Sequence, residues 1–227
     1  MIQTYKDITY KLARSERKTI SIYIEPAGNI ILRVPKDLQK NKIEAIIDDK
    51  IYWIQKSICE FKYLNKTKVS RQIIDGEGFL FMGNSYKLKI IKESFLCFKL
   101  SQNYFLIRED KVSKGKSLFI KFYKEKAKEY IPKRVDYFIK KIGVKSIDIK
   151  IIDLKNRWGS KTDKGINFHW KVILAPITII DYIIVHELVH INIPNHSKEF
   201  WETVESIIPN YREKVNWLKI NGANLNV

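Results

Sequence analysis

Cysteine is scarce: the 227 residues hold two, Cys59 and Cys97. That is too few for a disulfide framework, and they lack the paired spacing of a zinc knuckle. Glycine (9) and proline (6) are also sparse, and no linker rich in them, internal repeat or low-complexity tract divides the chain. The opening residues, MIQTYKDITYKLARSERK, contain no apolar run of the secretory kind, so the expected compartment is the cytoplasm. The most apolar stretch, residues 172–193, carries Asp181, His186, Glu187 and His190. Those groups are costly in lipid, so it reads as a buried helix of a soluble protein, with no membrane partner. Acidic side chains are outnumbered, 25 against 42 Lys+Arg, for a formal charge of +17. Such a surplus makes nucleic acid a candidate partner through the basic surface, although the lysines are spread over the whole chain.

What is present suffices for a packed core: 45% hydrophobic and 12% aromatic residues. Residues 19–24 and 29–34 alternate around Glu25-Pro26-Ala27-Gly28, a hairpin signal. Residues 40–60 place Ile43, Ile46, Ile47, Ile51 and Ile54 at helical spacing. Runs at 79–82, 85–91, 95–100 and 104–108 predict a β-meander, with Gly83-Asn84 at one turn. Residues 117–142 predict a long helix, kinked at Pro132. Strands are expected at 146–152 and 166–174, then a helix over 176–192 with Thr178 and Asp181 as a capping box and Pro194 as its stop. Helices over 197–208 and 211–219 follow, separated by Pro209. The expected fold is α+β, with a β-rich N-terminal domain over 1–112 and, over 113–227, a helix-bearing domain packed on a short sheet.

The strongest signal is His186-Glu187-Leu188-Val189-His190, with His196 six residues on. Positions i and i+4 lie on one helix face, so two imidazoles there can share one zinc ion, and the adjacent Glu187 stands in the general-base position. Two readings compete for the third ligand: His196, or a glutamate of the next helix (Glu199, Glu202 or Glu205). Pro194 and Asn195, which tolerates a left-handed backbone, favour a reversal that returns His196 to the metal, with Ser197 capping the next helix. The glutamates fall on a helix whose inward face is Phe200, Trp201, Val204 and Ile207. Three protein ligands leave a fourth position for water, which zinc acidifies and Glu187 deprotonates. The expected function is a zinc-dependent endopeptidase, with one Zn2+ per chain and a peptide or protein substrate. The alternative is a nucleic-acid-associated protein whose metal is structural, or which cleaves DNA-bound proteins.

Beyond this motif, Arg157-Trp158-Gly159-Ser160, Asn167, Trp170, Leu174-Ala175-Pro176, Asp181-Tyr182, Pro194-Asn195-His196-Ser197, Phe200-Trp201, Pro209, Tyr211 and Trp217-Leu218 carry a resemblance to a known family. Arg14-Ser15-Glu16-Arg17, Val34-Pro35 and Trp53-Ile54 extend it towards the N-terminus. The sequence resembles the YgjP-like metallopeptidases, relatives of the SprT-like zincins. The resemblance implies a minimal zincin domain with two zinc ligands on the HExxH helix and the third, His196, in the Asn-His-Ser segment. The chain departs from that family with Lys161 where cysteine is usual and His169 where asparagine is expected.

Weaker signals are set aside. His169 reads as an ordinary strand histidine. Arg157 and Tyr182 are candidates to stabilise a tetrahedral intermediate that spacing alone does not place. Gly115-Lys116-Ser117 is no phosphate loop, because Asp110 stands where that motif needs glycine. The aromatics Phe79, Phe81, Tyr86, Phe95, Phe98, Tyr104 and Phe105 read as core rather than as a stacking platform among lysines. Residues 166–174 are the expected edge strand for an extended peptide.

Overall fold

Alternation dictates the first sheet. In β2 (Ile8–Ser15), Ile8, Tyr10 and Leu12 are buried while Thr9 and Lys11 face water. β4 (Ile30–Pro35) repeats the pattern with Ile30, Leu32 and Val34. With β1 (Ile2–Tyr5) and β3 (Ser21–Ile24) they form a sheet of order β1-β2-β4-β3, in which β2 and β4 run parallel. The expected hairpin is β3–β4, closed by Glu25 N–H donating to Asn29 O at 2.8 Å; Pro26 and Ala27 of its turn lie outside the described residues. The helix α1 (Lys40–Lys66) buries Ile43, Ile47 and Ile54 in this unit's own core. The computed structural model describes residues 2–25, 28–66, 69–93, 95–154 and 157–227, with 60–66 as backbone alone.

The chain divides into two units, Met1–Lys68 and Val69–Val227. The boundary thus falls 44 residues before the composition shift that suggested 112. The reason lies in the core of the second unit, where Phe79, Leu88, Phe105 and Ile107 pack in one cluster with Phe119, Tyr123 and the apolar face of the metal-motif helix. Phe79 stacks on Phe119 at 4.0 Å between centroids. A composition change marks a change of secondary structure here, not of domain.

The second unit opens with β5 (Gly78–Phe81), β6 (Asn84–Ile91), β7 (Phe98–Ser101) and β8 (Tyr104–Arg108), in the order β5-β6-β8-β7. This is not a meander: β8 inserts between β6 and β7 and runs parallel to β6. Local alternation places the strands but carries no information about which neighbour each finds. The reading of the aromatics as core holds for Phe79 and Phe105, both buried, and for Phe81, Tyr86 and Phe98, which pack against them. It fails for Phe95, 99% exposed, and Tyr104, 43% exposed.

α2 (Gly115–Ile142) runs unbroken through Pro132 and buries Phe119, Tyr123, Ala127, Ile131, Val135 and Phe138 as one stripe. A three-stranded sheet follows: β9 (Asp148–Ile152), β10 (Gly159–Thr162) and β11 (Gly165–His169), in the order β10-β11-β9. The strand expected over 166–174 ends at His169 and continues as a 3-10 turn, Trp170–Leu174. β11 is central, so the edge flanking it is β10, not residues 166–174. Three helices complete the α+β fold: α3 (Ile177–Asn192), α4 (Lys198–Ile207) and α5 (Tyr211–Asn221). Among the described residues no helix is long and apolar enough to cross a membrane.

Candidate functional site

The site is built on α3, and the start of α3 is held from both sides. Its N-cap is Pro176, whose carbonyl accepts from Ile179 and Ile180 N–H; no side chain caps it. The capping box expected from Thr178 and Asp181 does not form, because Asp181 accepts two hydrogen bonds from Arg134 of α2 at 2.8 and 2.7 Å. The β5–β6 turn docks on the residues just before α3: Met82 N–H donates to Ile173 O and Gly83 N–H to Leu174 O. Gly83 has φ +82°, and a Cβ there would lie 2.7 Å from Pro176 Cα.

α3 ends as its sequence predicts. Ile193, before Pro194, is extended (φ −122°, ψ 98°), and Ser197 caps α4 by accepting from Phe200 N–H. The reversal needs no left-handed residue: among the described residues the non-glycine ones at positive φ are Lys6, Met82 and Gln102, so Asn195 is not one of them. The turn brings His196 back over α3. His196 Nε2 lies 3.2 Å from His190 Nε2 and 3.2 Å from His186 Nε2. Nitrogens on a tetrahedral zinc, with bonds of about 2.0–2.1 Å, stand about 3.3 Å apart, so this spacing fits the metal.

Two of the three far ring nitrogens have partners. His190 Nδ1–H donates to Ile193 O at 3.1 Å, and His186 Nδ1 lies 3.4 Å from the Tyr182 hydroxyl. That leaves the His190 Nε2 lone pair facing His196 Nε2, an arrangement a cation between the rings satisfies. Burial, reinforced by the neighbouring histidines, lowers the His186 pKa to about 3, and burial, with the charge of His190, lowers that of His196, so these two rings favour the neutral form that metal binding requires. Among the described residues these three histidines form the cluster able to hold a metal ion. Of the rival glutamates, Glu202 pairs with Lys198 and Glu205 with Arg212.

Phe200, fully buried, closes the rear of the cluster. Its ring centroid lies 5.0, 4.5 and 4.8 Å from those of His186, His190 and His196. Trp201 stacks on His196 at 5.5 Å and on Tyr211 at 5.1 Å.

Glu187 is 8% exposed and faces β10. Burial raises its pKa to about 7, against the backbone N–H of Lys161 and the charge of Arg157, which pull it down. Its side chain lies where a Cβ on Gly159 would be, 2.4 Å from Cγ. Sequence reasoning quoted Gly159 in a motif but gave it no role; nothing local signals one, since the contact is between elements far apart in the chain.

The structure sorts the weaker candidates. Tyr182 backs His186. Arg157 donates to Ser160 Oγ at 3.0 Å, exposed beside β10. His169 is buried between Trp158 and Trp170, where Nδ1 accepts from Lys171 N–H; burial lowers its pKa to about 4. It is a packing and capping residue outside the histidine cluster.

Comparison with known proteins gives three results. No curated protein matches the chain. The crystal structure of the metallopeptidase zymogen of Pyrococcus abyssi abylysin is similar at 21% identity over 39% of this chain and 90% of that one, with a TM-score of 0.37. The YgjP-like, metallopeptidase domain model matches residues 18–221, enclosing α3, the histidine cluster and Glu187. By that match over most of its length, the chain belongs to the YgjP-like metallopeptidase family.

Proposed function

We propose that this peptidase is a zinc-dependent endopeptidase, in which His186, His190 and His196 hold one Zn2+ per chain and Glu187 is the general base. The carrying observation is the convergence of three Nε2 atoms, that of His196 standing 3.2 Å from each of the other two, with Nδ1 of His190 engaged by Ile193 O and Nδ1 of His186 beside the Tyr182 hydroxyl. When bound, zinc supplies Lewis acidity that polarises a carbonyl and makes water a better nucleophile.

The chain's own residues supply the rest. Phe200 shields the ligands from behind, while His196 is exposed, so substrate approaches from its side. Glu187, one residue from a ligand and braced by Gly159 and the Lys161 amide, takes a proton from water at its carboxylate and returns it to the leaving amine. β10 is the sheet edge packed beside α3, so an extended segment pairing along it could run past the site at both ends. That geometry favours cleavage within a chain over trimming of an end.

Metal analysis of untagged protein, with cleavage of an unstructured protein by wild type and Glu187→Gln, tests this reading. One zinc per chain and internal fragments from wild type alone are expected. Equal cleavage by both proteins would overturn the role of Glu187.

A further inference from the structure

The four-stranded sheet β5-β6-β8-β7 has two unlike faces. Inward, Tyr86, Leu88, Ile90, Phe105, Ile107 and Phe98 meet the core. Outward, strand register sets Lys87 beside Tyr104, then Lys89, Leu106 and Lys99 on the next rung. Successive outward rungs are about 7 Å apart. No acidic residue occupies an outward position on β6, β7 or β8. Of the acids flanking these strands, Glu93 and Glu109 follow the ends of β6 and β8, while Asp75 accepts from Ile90 N–H, Glu77 from Gly78 N–H, and Asp110 from Arg108. Lys87, Lys89 and Lys99 form no ion pair among the described residues.

Two large aromatics, one on this sheet and one on a connection of it, are left uncovered. Tyr104 is 43% exposed, with the Lys89 ammonium 5.7 Å from its ring centroid. Phe95, on the connection from β6 to β7, is 99% exposed. Tyr104 opens β8, paired with Ser101 at the β7–β8 turn, and exposed rings leave apolar surface for a ligand to cover.

We infer that this outer sheet face binds single-stranded nucleic acid, with Lys87, Lys89 and Lys99 against the phosphates and Tyr104 beneath a base. The occupant follows from complementarity. An acid-free row of lysines fits a polyanion, and uncovered rings fit a ligand that carries flat surfaces as well as charge. A duplex hides its bases, and a sheet face offers no protruding helix to enter a groove. The surface is apart from the histidine cluster, and the inference does not depend on the peptidase mechanism.

The test is fluorescence anisotropy of the full chain with labelled oligothymidylate and oligouridylate of about 20 nucleotides, over about 50–200 mM salt. Lys87→Glu/Lys89→Glu/Lys99→Glu is compared with Lys116→Glu/Lys121→Glu/Lys128→Glu, which makes the same charge change on exposed positions of α2. The sheet triple is expected to bind at least about tenfold more weakly than the helix triple. The slope of log affinity against log salt should fall by about 2, since each single-strand phosphate contact contributes about 0.7. Tyr104→Ala should lose about tenfold and Tyr104→Phe almost nothing. Thermal transitions and metal content check folding; if the sheet triple is unfolded, Lys87→Gln/Lys89→Gln replaces it. Equal losses in the two triples would mean diffuse charge and overturn the inference. So would tighter binding of the matching duplex, or no binding at the lowest salt.

Discussion

Glu187 rests where a side chain at position 159 would begin: a Cβ on Gly159 would stand 2.4 Å from Glu187 Cγ and 2.6 Å from its Oε1. Contacts that short do not persist, so either β10 or the carboxylate must move. Gly159→Ala is expected to lower kcat at least about tenfold with one metal per chain retained, because misplacing a catalytic group by about 1 Å can cost about a hundredfold. Steady-state kinetics beside metal analysis check it; an unchanged kcat would mean that the observed carboxylate position is not the working one.

Glu187→Gln preserves shape and removes the proposed base. Turnover is expected to fall by about a hundredfold or more, with zinc content and thermal stability near wild type. Loss of metal in this variant would instead mark Glu187 as a ligand.

The third ligand is separable by affinity. His196→Ala should weaken zinc binding by orders of magnitude in chelator competition, while Glu202→Ala and Glu205→Ala, which remove partners of Lys198 and Arg212, should leave it within about twofold. The opposite ranking would move the site onto α4.

Acid sensitivity should trace in part to His169. Burial lowers its pKa from 6.5 to about 4, so between those values the unfolded chain binds a proton that the fold refuses. Stability therefore falls as pH drops from about 6.5 to about 4 and is unaffected by this group above that window. His169→Asn keeps an acceptor for Lys171 N–H but does not titrate. Urea midpoints at pH 7 and pH 5 should differ less in this variant than in wild type, and an equal difference would assign the sensitivity elsewhere.

How far the sequence reaches is visible in α3. Its motif, its end before Pro194 and the Ser197 cap are local features, and each was legible because spacing and proline geometry are local rules. The return of His196 was also legible, although Asn195 is not the left-handed pivot expected. Asp181 illustrates the opposite case. It is an apt capping residue by position, but Arg134, 47 residues earlier, holds it. The same limit hid the parallel pairing of β6 with β8, the central place of β11 and the space at Gly159. Each is decided by which distant segments meet, and periodicity along one strand carries no term for that.

The docking of Met82 and Gly83 against Ile173, Leu174 and Pro176 bears on where the smallest working enzyme begins. Two backbone amides of the β5–β6 turn meet carbonyls that would otherwise lack partners at the foot of the metal-bearing helix. A chain trimmed to residue 113, the boundary that composition suggests, would lose that abutment together with Phe79 and Phe105 from the core. The small sheet is thus the footing of the histidine helix, and a fragment that keeps that footing has to include β5 to β8.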